Sequence, residues 1–453
     1  MRRNQVPERG SPNTTACVEQ ILPPSCPQKK NVEGRTAVVQ ITRRGLAVLG
    51  AALLPGLARS QGASVKIGAP YPLSGGAASA GAALKDAVEV GMDIINNPHP
   101  ELDPVPLAAG SGLPGLGGRK IEVLFADHQG NPAMAQNEAV RLITQDKVVA
   151  MVGCYQSSAT LTASAVCERY GIPFVAGEAS APSLNLRGFK WFFRPTPIGT
   201  HFGAAYADFL QLAKASGRTV DTIAMVNENT EYGTSTGDAI IHAIEGKGMK
   251  VGTRVVYSAN SSDVSPQVLQ LKQVKPDAVI FVSYTSDAIL YMKTMHNLDY
   301  KPPILIGDDS GFSDDAFIKA VGDLAEGVIN RSSFDASKPG SLSFKVNEIY
   351  KKKTGREMDD TSARGLEGFL VLADAINRAG STDPAKIQAA LKATDLKANQ
   401  LIIGYDGVKF DATGQNELAS TLLVQLHNRQ YVTVWPKAQA VAAVVMPFKG
   451  WSN

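Results

Sequence analysis

Two adjacent serines, Ser157 and Ser158, stand where a buried strand is expected to give way to a helix. The apolar run 148–152 predicts the strand, and apolar side chains then recur at helical spacing until Gly171. Unpaired backbone N–H groups and the positive end of the helix dipole favour a carboxylate or similar anion at such a helix start. The pair is therefore a candidate anion site, and a serine that only caps its helix is the alternative.

The length and composition of the chain limit its class. It has 453 residues, which exceeds a single ordinary core and predicts two or more domains. A content of 44% hydrophobic and 19% charged residues is typical of a soluble globular protein. The sequence contains no glycine-rich nucleotide loop, no nucleophile elbow and no metal-spaced histidine pair. It therefore supports neither an enzyme nor a cofactor or metal site.

The first 63 residues differ from the rest of the chain. Thr42-Arg43-Arg44 precedes an uncharged run, 45–57, and then the small-residue stretch 58–63. This order is that of a cleavable signal, and the paired arginines are typical of twin-arginine export. A transmembrane anchor is the alternative, but Pro55 and the short run argue against it. Residues 1–63 are interpreted as an N-terminal extension plus export signal, cleaved near 58–63.

The basic charge of the chain belongs to this extension. The formal net charge is +3, but residues 1–63 hold nine Lys/Arg and only three Asp/Glu, so the remainder is at −3. That balance predicts no nucleic-acid partner. Cys154 and Cys167 remain after cleavage, at a strand end and about ten residues into the next helix. They are too far apart to bridge, so we expect two buried thiols.

Beyond residue 64 the apolar patterns alternate between strands and helices, first over 65–176 and again over 222–306. A Pro/Gly-rich segment, 98–118, predicts a long surface loop, and the last third is rich in helical patterns. Strands alternating with helices predict parallel sheets with right-handed crossovers. We therefore expect an α/β protein of two doubly wound domains, with a cleft at the carboxyl ends of their strands. Strands are predicted at 65–69, 121–126, 148–152, 174–176, 222–226, 250–257, 278–282, 304–306, 421–426 and 431–434.

From Val65 to about Val434 the chain resembles the periplasmic substrate-binding proteins of branched-chain amino acid ABC transporters. The order and spacing of several short motifs carry the resemblance, since each motif alone is weak. They are Gly-Ala-Pro-Tyr-Pro-Leu-Ser-Gly at 68–75, Val152-Gly153 with Ser157-Ser158, Ala181-Pro182 with Arg187-Gly188, Phe193-Arg194-Pro195-Thr196, Glu231-Tyr232-Gly233, Ile306-Gly307 and Ala325-Glu326-Gly327.

The resemblance implies a type I periplasmic binding fold, in which two Rossmann-like lobes close like a Venus flytrap about three hinge crossings. It places the hinges near Pro197, Ser332 and Gln415. Lobe 1 is then 64–197 and 333–416, and lobe 2 is 198–332 and 417–453. The implied role is non-enzymatic: a periplasmic monomer captures a small-molecule ligand and delivers it to a membrane permease.

The resemblance also implies the binding residues. In that family a serine at the position of Ser157, with its backbone, and a hydroxyl residue at Ser180 hold the ligand's α-carboxylate. The other lobe is implied to contribute tyrosines at the positions of Tyr232 and Tyr284 and an acid at that of Asp309. The acid pairs with the ligand's α-ammonium. Such an arrangement suits a zwitterion, and because the two sets lie on different lobes, the ligand favours closure.

Some positions depart from the family pattern. Glu178 stands where amino-acid binders carry a small residue, and there it would repel a ligand carboxylate by ~1–4 kcal/mol. Either Glu178 points away, or the ligand carries a further donor such as an amide, hydroxyl or second ammonium. Tyr155 and Gln156 replace the residues usual before the paired serines, and Ala80 replaces an aromatic that often covers the ligand.

Alternatives remain for the acid and for the function. Asp308 is the other candidate partner of the ammonium, next to the favoured Asp309. The family also includes binders of aromatic acids, urea and amides, so a leucine-like ligand is not implied. A ligand-sensing receptor domain is a second class of function, and an enzyme on the same scaffold is a third.

Overall fold

The structure is a computed structural model that describes residues 62–308 and 310–451. The predicted export signal lies outside the described residues, and so does Asp309. Across the described ranges, no helix is both long and apolar enough to cross a membrane.

The first lobe is built on a five-stranded parallel sheet in the order β2-β1-β3-β4-β5. Its inner strands are apolar on both faces because helices cover both. In β3, Met151 packs in one hydrophobic cluster while Ala150 and Val152 pack in another. The elements are β1 (Val65–Tyr71), α1 (Ala78–Asn96), β2 (Ile121–Asp127), α2 (Pro132–Thr144), β3 (Ala150–Val152), α3 (Ser157–Tyr170), β4 (Phe174–Val175) and β5 (Phe192–Phe193).

The second lobe is built on a seven-stranded sheet in the order β14-β13-β10-β9-β8-β6-β7. The strands from β6 to β10 run parallel, and the helices between them make the crossovers. The elements up to β10 are α4 (Gly199–Ala215), β6 (Ile223–Glu228), α5 (Glu231–Gly246), β7 (Val251–Tyr257), α6 (Ser265–Val274), β8 (Ala278–Val282), α7 (Thr285–Asn297), β9 (Ile304–Asp308), α8 (Ser310–Ser313), α9 (Asp315–Val321) and β10 (Ile329–Ser332).

The rest of the chain returns to the first lobe and then completes the second. The helix α11 packs along α1, and β13 joins β10 antiparallel. The chain thus passes between the two sheets three times, within 194–198, 333–341 and 410–421. The remaining elements are α10 (Leu342–Thr354), α11 (Asp360–Ala379), α12 (Pro384–Lys392), β11 (Asp395–Lys397), β12 (Gly407–Lys409), β13 (Leu422–His427) and β14 (Gln430–Trp435).

The structure confirms the predicted α/β class and two largely parallel sheets, but seven elements were not predicted: α4, β5, α8, α9, β10, β11 and β12. Three of them show why. The helix α4 follows the Pro195–Pro197 segment, where only a restart of the strand pattern was expected. The strand β5 has two residues, too few for a periodic signal. The strand β10 reads Ile-Asn-Arg-Ser and is buried throughout, so its polar side chains conceal a core strand.

The segment 98–118 is a loop, as predicted, but it does not lie only on the surface. It contains two short 3₁₀ turns, and Leu102 and Leu113 are fully buried against the first lobe's core. The two thiols were predicted correctly, since Cys154 and Cys167 are both free and buried.

Candidate functional site

The serine pair lies at the carboxyl edge of the first sheet, where β3 leads into α3. Ser157 is the first residue of α3 and is buried, and Ser158 beside it is partly exposed. The Ser157 Oγ accepts a hydrogen bond from the Ala181 N–H at 3.3 Å. The residue before the helix is Gln156, and no side chain caps the helix start. The alternative that a serine caps this helix is therefore wrong.

The loop that follows β4 carries Ser180, and a buried arginine fixes its shape. Arg194 donates from Nη1 to the Ala179 carbonyl at 3.0 Å and to the Ala181 carbonyl at 2.8 Å. Its Nε donates to Gln415 Oε1 at 2.8 Å, in the third chain crossing. Both neighbours of Ser180 are thus held by one guanidinium. The sequence showed Arg194 only as part of a family motif.

Glu178 is held inside the first lobe, against the end of β1. Its side chain is buried, and the Tyr71 hydroxyl at the end of β1 donates to Oε1 at 3.0 Å. Its backbone carbonyl accepts from Arg364 Nη1 at 2.8 Å. Oε2 has no hydrogen-bond partner among the described residues. Burial raises the pKa of Glu178 to about 7, although Tyr71 and Arg364 act in the opposite direction.

In the second lobe, Asp308 is the centre of a buried polar network. It accepts from the Tyr206 hydroxyl at 2.6 Å and from Arg331 Nε at 3.1 Å, both on Oδ1. The Tyr232 hydroxyl donates to Oδ2 at 2.9 Å and also lies 2.8 Å from the backbone carbonyl of Asp308. Asp308 is therefore engaged within its own lobe. Its neighbour Asp309 lies outside the described residues.

Three tyrosine rings form a row that crosses from one lobe to the other. The ring centroids of Tyr155 and Tyr284 are 5.7 Å apart, and those of Tyr284 and Tyr232 are 5.1 Å apart. Tyr155 adopts a left-handed backbone conformation (φ 83°) just before α3. Burial is the main cause that raises the pKa of Tyr284. A hydrogen bond from the Ser157 N–H is among the interactions that lower this pKa. The second lobe therefore reaches the start of α3.

Polar contacts close the interlobe boundary on both flanks of this row. Ser79 on α1 donates to Asp314 Oδ1 at 2.8 Å, and Asp314 precedes α9. On the other flank the Ser183 hydroxyl donates to Glu231 at the start of α5. These residues lie in loops and at helix ends far apart in sequence, so no local pattern marked them. The structure thus shows the lobes in contact around the candidate site.

The predicted site residues are therefore brought together in part. Ser157 lies against the Ser180 loop, and Tyr155, Tyr284 and Tyr232 contact one another. The arrangement offers a helix start and hydroxyls from one lobe, and aromatic faces from the other. Within the two described ranges, no cluster of three or more His, Cys, Asp or Glu side chains could hold a metal ion.

Comparisons with known proteins agree on one family. A sequence model of the periplasmic binding protein family matches residues 64–426. The chain is 31% identical over 412 residues to Leu/Ile/Val-binding protein homolog 7 of Brucella suis, covering 88% of this chain and 97% of that protein.

Two solved structures share the fold. The branched-chain amino acid transporter substrate binding protein LivJ of Streptococcus pneumoniae, in complex with isoleucine, has a TM-score of 0.69 at 21% identity, covering 85% of this chain and all of that one. A solute binding protein of an ABC transporter from Rhodopseudomonas palustris, in complex with 3,4-dihydroxybenzoic acid, has a TM-score of 0.67 at 19% identity, covering 81% and 95%.

Proposed function

We propose, since this chain belongs to the periplasmic binding protein family, that it captures an amino acid or a related small carboxylate or amide between its lobes. The protein would deliver this ligand to the permease of an ABC transporter and would catalyse no reaction. One observation carries the proposal: the row Tyr155–Tyr284–Tyr232 brings the second lobe to the helix start at Ser157.

The proposal assigns a role to each side of the cleft. The α3 start at Ser157 and Ser158, together with Ser180, holds the ligand's carboxylate, since backbone and hydroxyl donors suit an anion. The tyrosine row covers the rest of the ligand. Asp309 is the proposed partner of an α-ammonium, because Asp308 already accepts three donors within its own lobe.

The hinge positions and the cellular location belong to the same proposal. The lobes, 64–197 with 333–416 and 198–332 with 417–453, would rotate about the crossings near Pro197, Ser332 and Gln415. The contacts on the two flanks of the tyrosine row would form on closure. Export to the periplasm through the signal in 1–63 and a monomeric state complete the proposal.

An aromatic acid is the second candidate ligand, and the tyrosine row favours it. Three rings at centroid distances of 5.1 and 5.7 Å offer flat apolar faces. The Rhodopseudomonas palustris relative of the same fold was solved with an aromatic acid. The two candidates share the carboxylate and differ in what the tyrosines cover.

Ligand screening by thermal shift, followed by calorimetry, tests the function. Amino acids, amides and aromatic acids are offered to the chain without its export segment. We expect at least one compound to raise the melting temperature, because a hundred-fold excess over Kd stabilises the folded state by about 2.7 kcal/mol. Calorimetry should then give one binding site per chain. If no member of the three classes shifts the melting temperature, the proposed function is wrong.

A pair of serine variants tests the site. Ser157→Ala should lower the affinity for the best ligand by about ten-fold, because it removes one hydrogen bond to a charged group. Ser164→Ala, on the same helix but remote from its start, is the matched control and should leave the affinity within about two-fold. Equal affinities for both variants and the wild type would remove Ser157 from the site.

A further inference from the structure

We propose that Glu178 makes the site select small carboxylates that also carry an N–H donor over acids that carry none. This rests on the proposed function and names its ligand class. The preferred ligands would be amino acids or amino-substituted aromatic acids, and the disfavoured ones simple acids such as benzoate.

The position of Glu178 in the chain supports its role in ligand selection. Glu178 lies two residues before Ser180 on the loop that Arg194 holds, so it belongs to the same side of the site as the hydroxyls. The backbone N–H of Tyr155, which begins the tyrosine row, is among the groups that lower the pKa of Glu178. The carboxyl group is therefore next to the segment that leads into α3.

The hydrogen bonds of the carboxyl group are incomplete. Tyr71 satisfies Oε1, but Oε2 is buried without a partner among the described residues. An unmet buried acceptor is costly, and more so when it is ionised. A donor supplied by the ligand would complete the group, whereas a ligand without a donor would leave it unmet when the lobes close.

The groups around Glu178 in the described part of the chain leave its Oε2 without a hydrogen bond, although the charge of Arg364 favours the ionised carboxylate. Arg364 on α11 donates to Asp360 Oδ2 at 2.8 Å and to the backbone carbonyl of Glu178 at 2.8 Å. Tyr71 on β1 donates to Oε1 but is neutral, and Cys154 is a buried thiol whose pKa burial raises. An N–H group of the ligand would therefore favour the ionised form of Glu178.

Matched ligand pairs test the selection on the wild-type protein. L-leucine is compared with isocaproate, which lacks only the amino group, and anthranilate is compared with benzoate. In the pair that binds, we expect the amino member to bind at least ten-fold more tightly. Equal affinities within a pair would overturn the inference and leave the proposed function intact. Absence of binding in the whole screen would instead remove the function itself.

The variant Glu178→Gln assigns the selection to this residue. It keeps the shape of the side chain but cannot ionise, so the amino member should lose about ten-fold in affinity while its partner without the amino group changes by less than two-fold. Glu367→Gln is the matched control, because Glu367 is also buried but accepts from the Ile402 N–H at 3.0 Å. Unchanged selectivity in Glu178→Gln would overturn the inference.

The number of protons released or taken up on ligand binding distinguishes a direct role of Glu178 from a structural one. Calorimetry in buffers of different ionisation enthalpy counts the protons released or taken up on binding near neutral pH. If the ligand donates to Glu178, binding should release part of a proton, and Glu178→Gln should abolish the release. Uptake of a proton would mean that a protonated Glu178 donates to the ligand, and this outcome would overturn the inference.

Discussion

The hydroxyl of Ser79 donates to Asp314 Oδ1 at 2.8 Å and so ties α1 of the first lobe to the start of α9 in the second. The same oxygen accepts from the Ala316 N–H at 2.9 Å, while Oδ2 accepts from the Thr285 hydroxyl at 2.9 Å. Asp314 is thus fixed within its own lobe by a helix cap and a neighbouring side chain. Ser79 is the partner that the first lobe adds.

Ser79→Ala should therefore weaken the closed form without unfolding either lobe. A hydrogen bond to a charged group contributes about 1.5–3 kcal/mol, part of which water replaces when the lobes part. We expect ligand affinity to fall about three- to ten-fold. The free energy of unfolding, measured in urea, should change by less than about 1 kcal/mol. Ser343→Ala, which loses a bond to the Ile402 carbonyl inside the first lobe, is the control. Unchanged affinity would show that this contact does not favour closure.

Tyr232→Phe separates the hydroxyl of a proposed ligand residue from its ring. Because the hydroxyl donates to buried Asp308, its loss should lower the free energy of unfolding by about 1.5–3 kcal/mol. The ring still contacts Tyr284, so ligand affinity should fall by less than about three-fold. Tyr206→Phe, which removes the other phenol on Asp308, should reproduce the stability loss. A large loss of affinity at unchanged stability would mean that the Tyr232 hydroxyl binds the ligand.

The sequence predicted the parts of this fold that depend on local pattern. Apolar runs alternating with helical spacing located most strands of both sheets, and the strand-to-helix change at Val152 placed Ser157 correctly at a helix start. Periodicity works here because inner strands such as β8 are buried on both faces and most helices are buried on one. Short or polar strands escape it, as β5 and β10 did.

The contacts that complete the candidate site could not be predicted in this way. Tyr71 and Glu178 are 107 residues apart in the chain, and Tyr206 and Asp308 are 102 apart. Such pairs depend on how whole strands assemble, and no local propensity encodes them. Glu178 was marked as unusual by its residue type, but only its burial beside Tyr71 shows how it is held.

Arg194→Lys should affect both stability and binding. A lysine cannot reproduce the fork that reaches Gln415, the Ala179 carbonyl and the Ala181 carbonyl, so about 2–3 kcal/mol of stability should be lost at roughly 1 kcal/mol per hydrogen bond. Because the released loop carries Ser180, ligand affinity should also fall, by about ten-fold. Urea unfolding and calorimetry measure the two effects.

Arg378→Lys is the control for that comparison. Arg378 donates to Asp374 at 2.7 Å and to the Ala390 carbonyl at 2.7 Å, where α11 meets α12, and none of its contacts reaches the Ser180 loop. Its replacement should cost stability and leave affinity unchanged. If Arg194→Lys behaves in the same way, the guanidinium supports the fold alone and does not position the binding loop.

Glu367 makes the stability of the protein depend on pH. Burial raises its pKa from 4.5 to about 7, against a smaller opposite effect of the Ile402 N–H. Between these two values the folded state holds a proton that the unfolded state has lost, so the contribution of Glu367 to stability is highest below about pH 4.5 and falls as the pH rises towards 7. Glu367→Gln stays neutral, so its stability relative to the wild type should rise by as much as about 3 kcal/mol between about pH 5 and pH 8. Urea unfolding of both proteins at the two pH values measures this, with exposed Glu348→Gln as the control for loss of charge. A difference that does not change with pH would show that Glu367 is already ionised in the folded protein at pH 5.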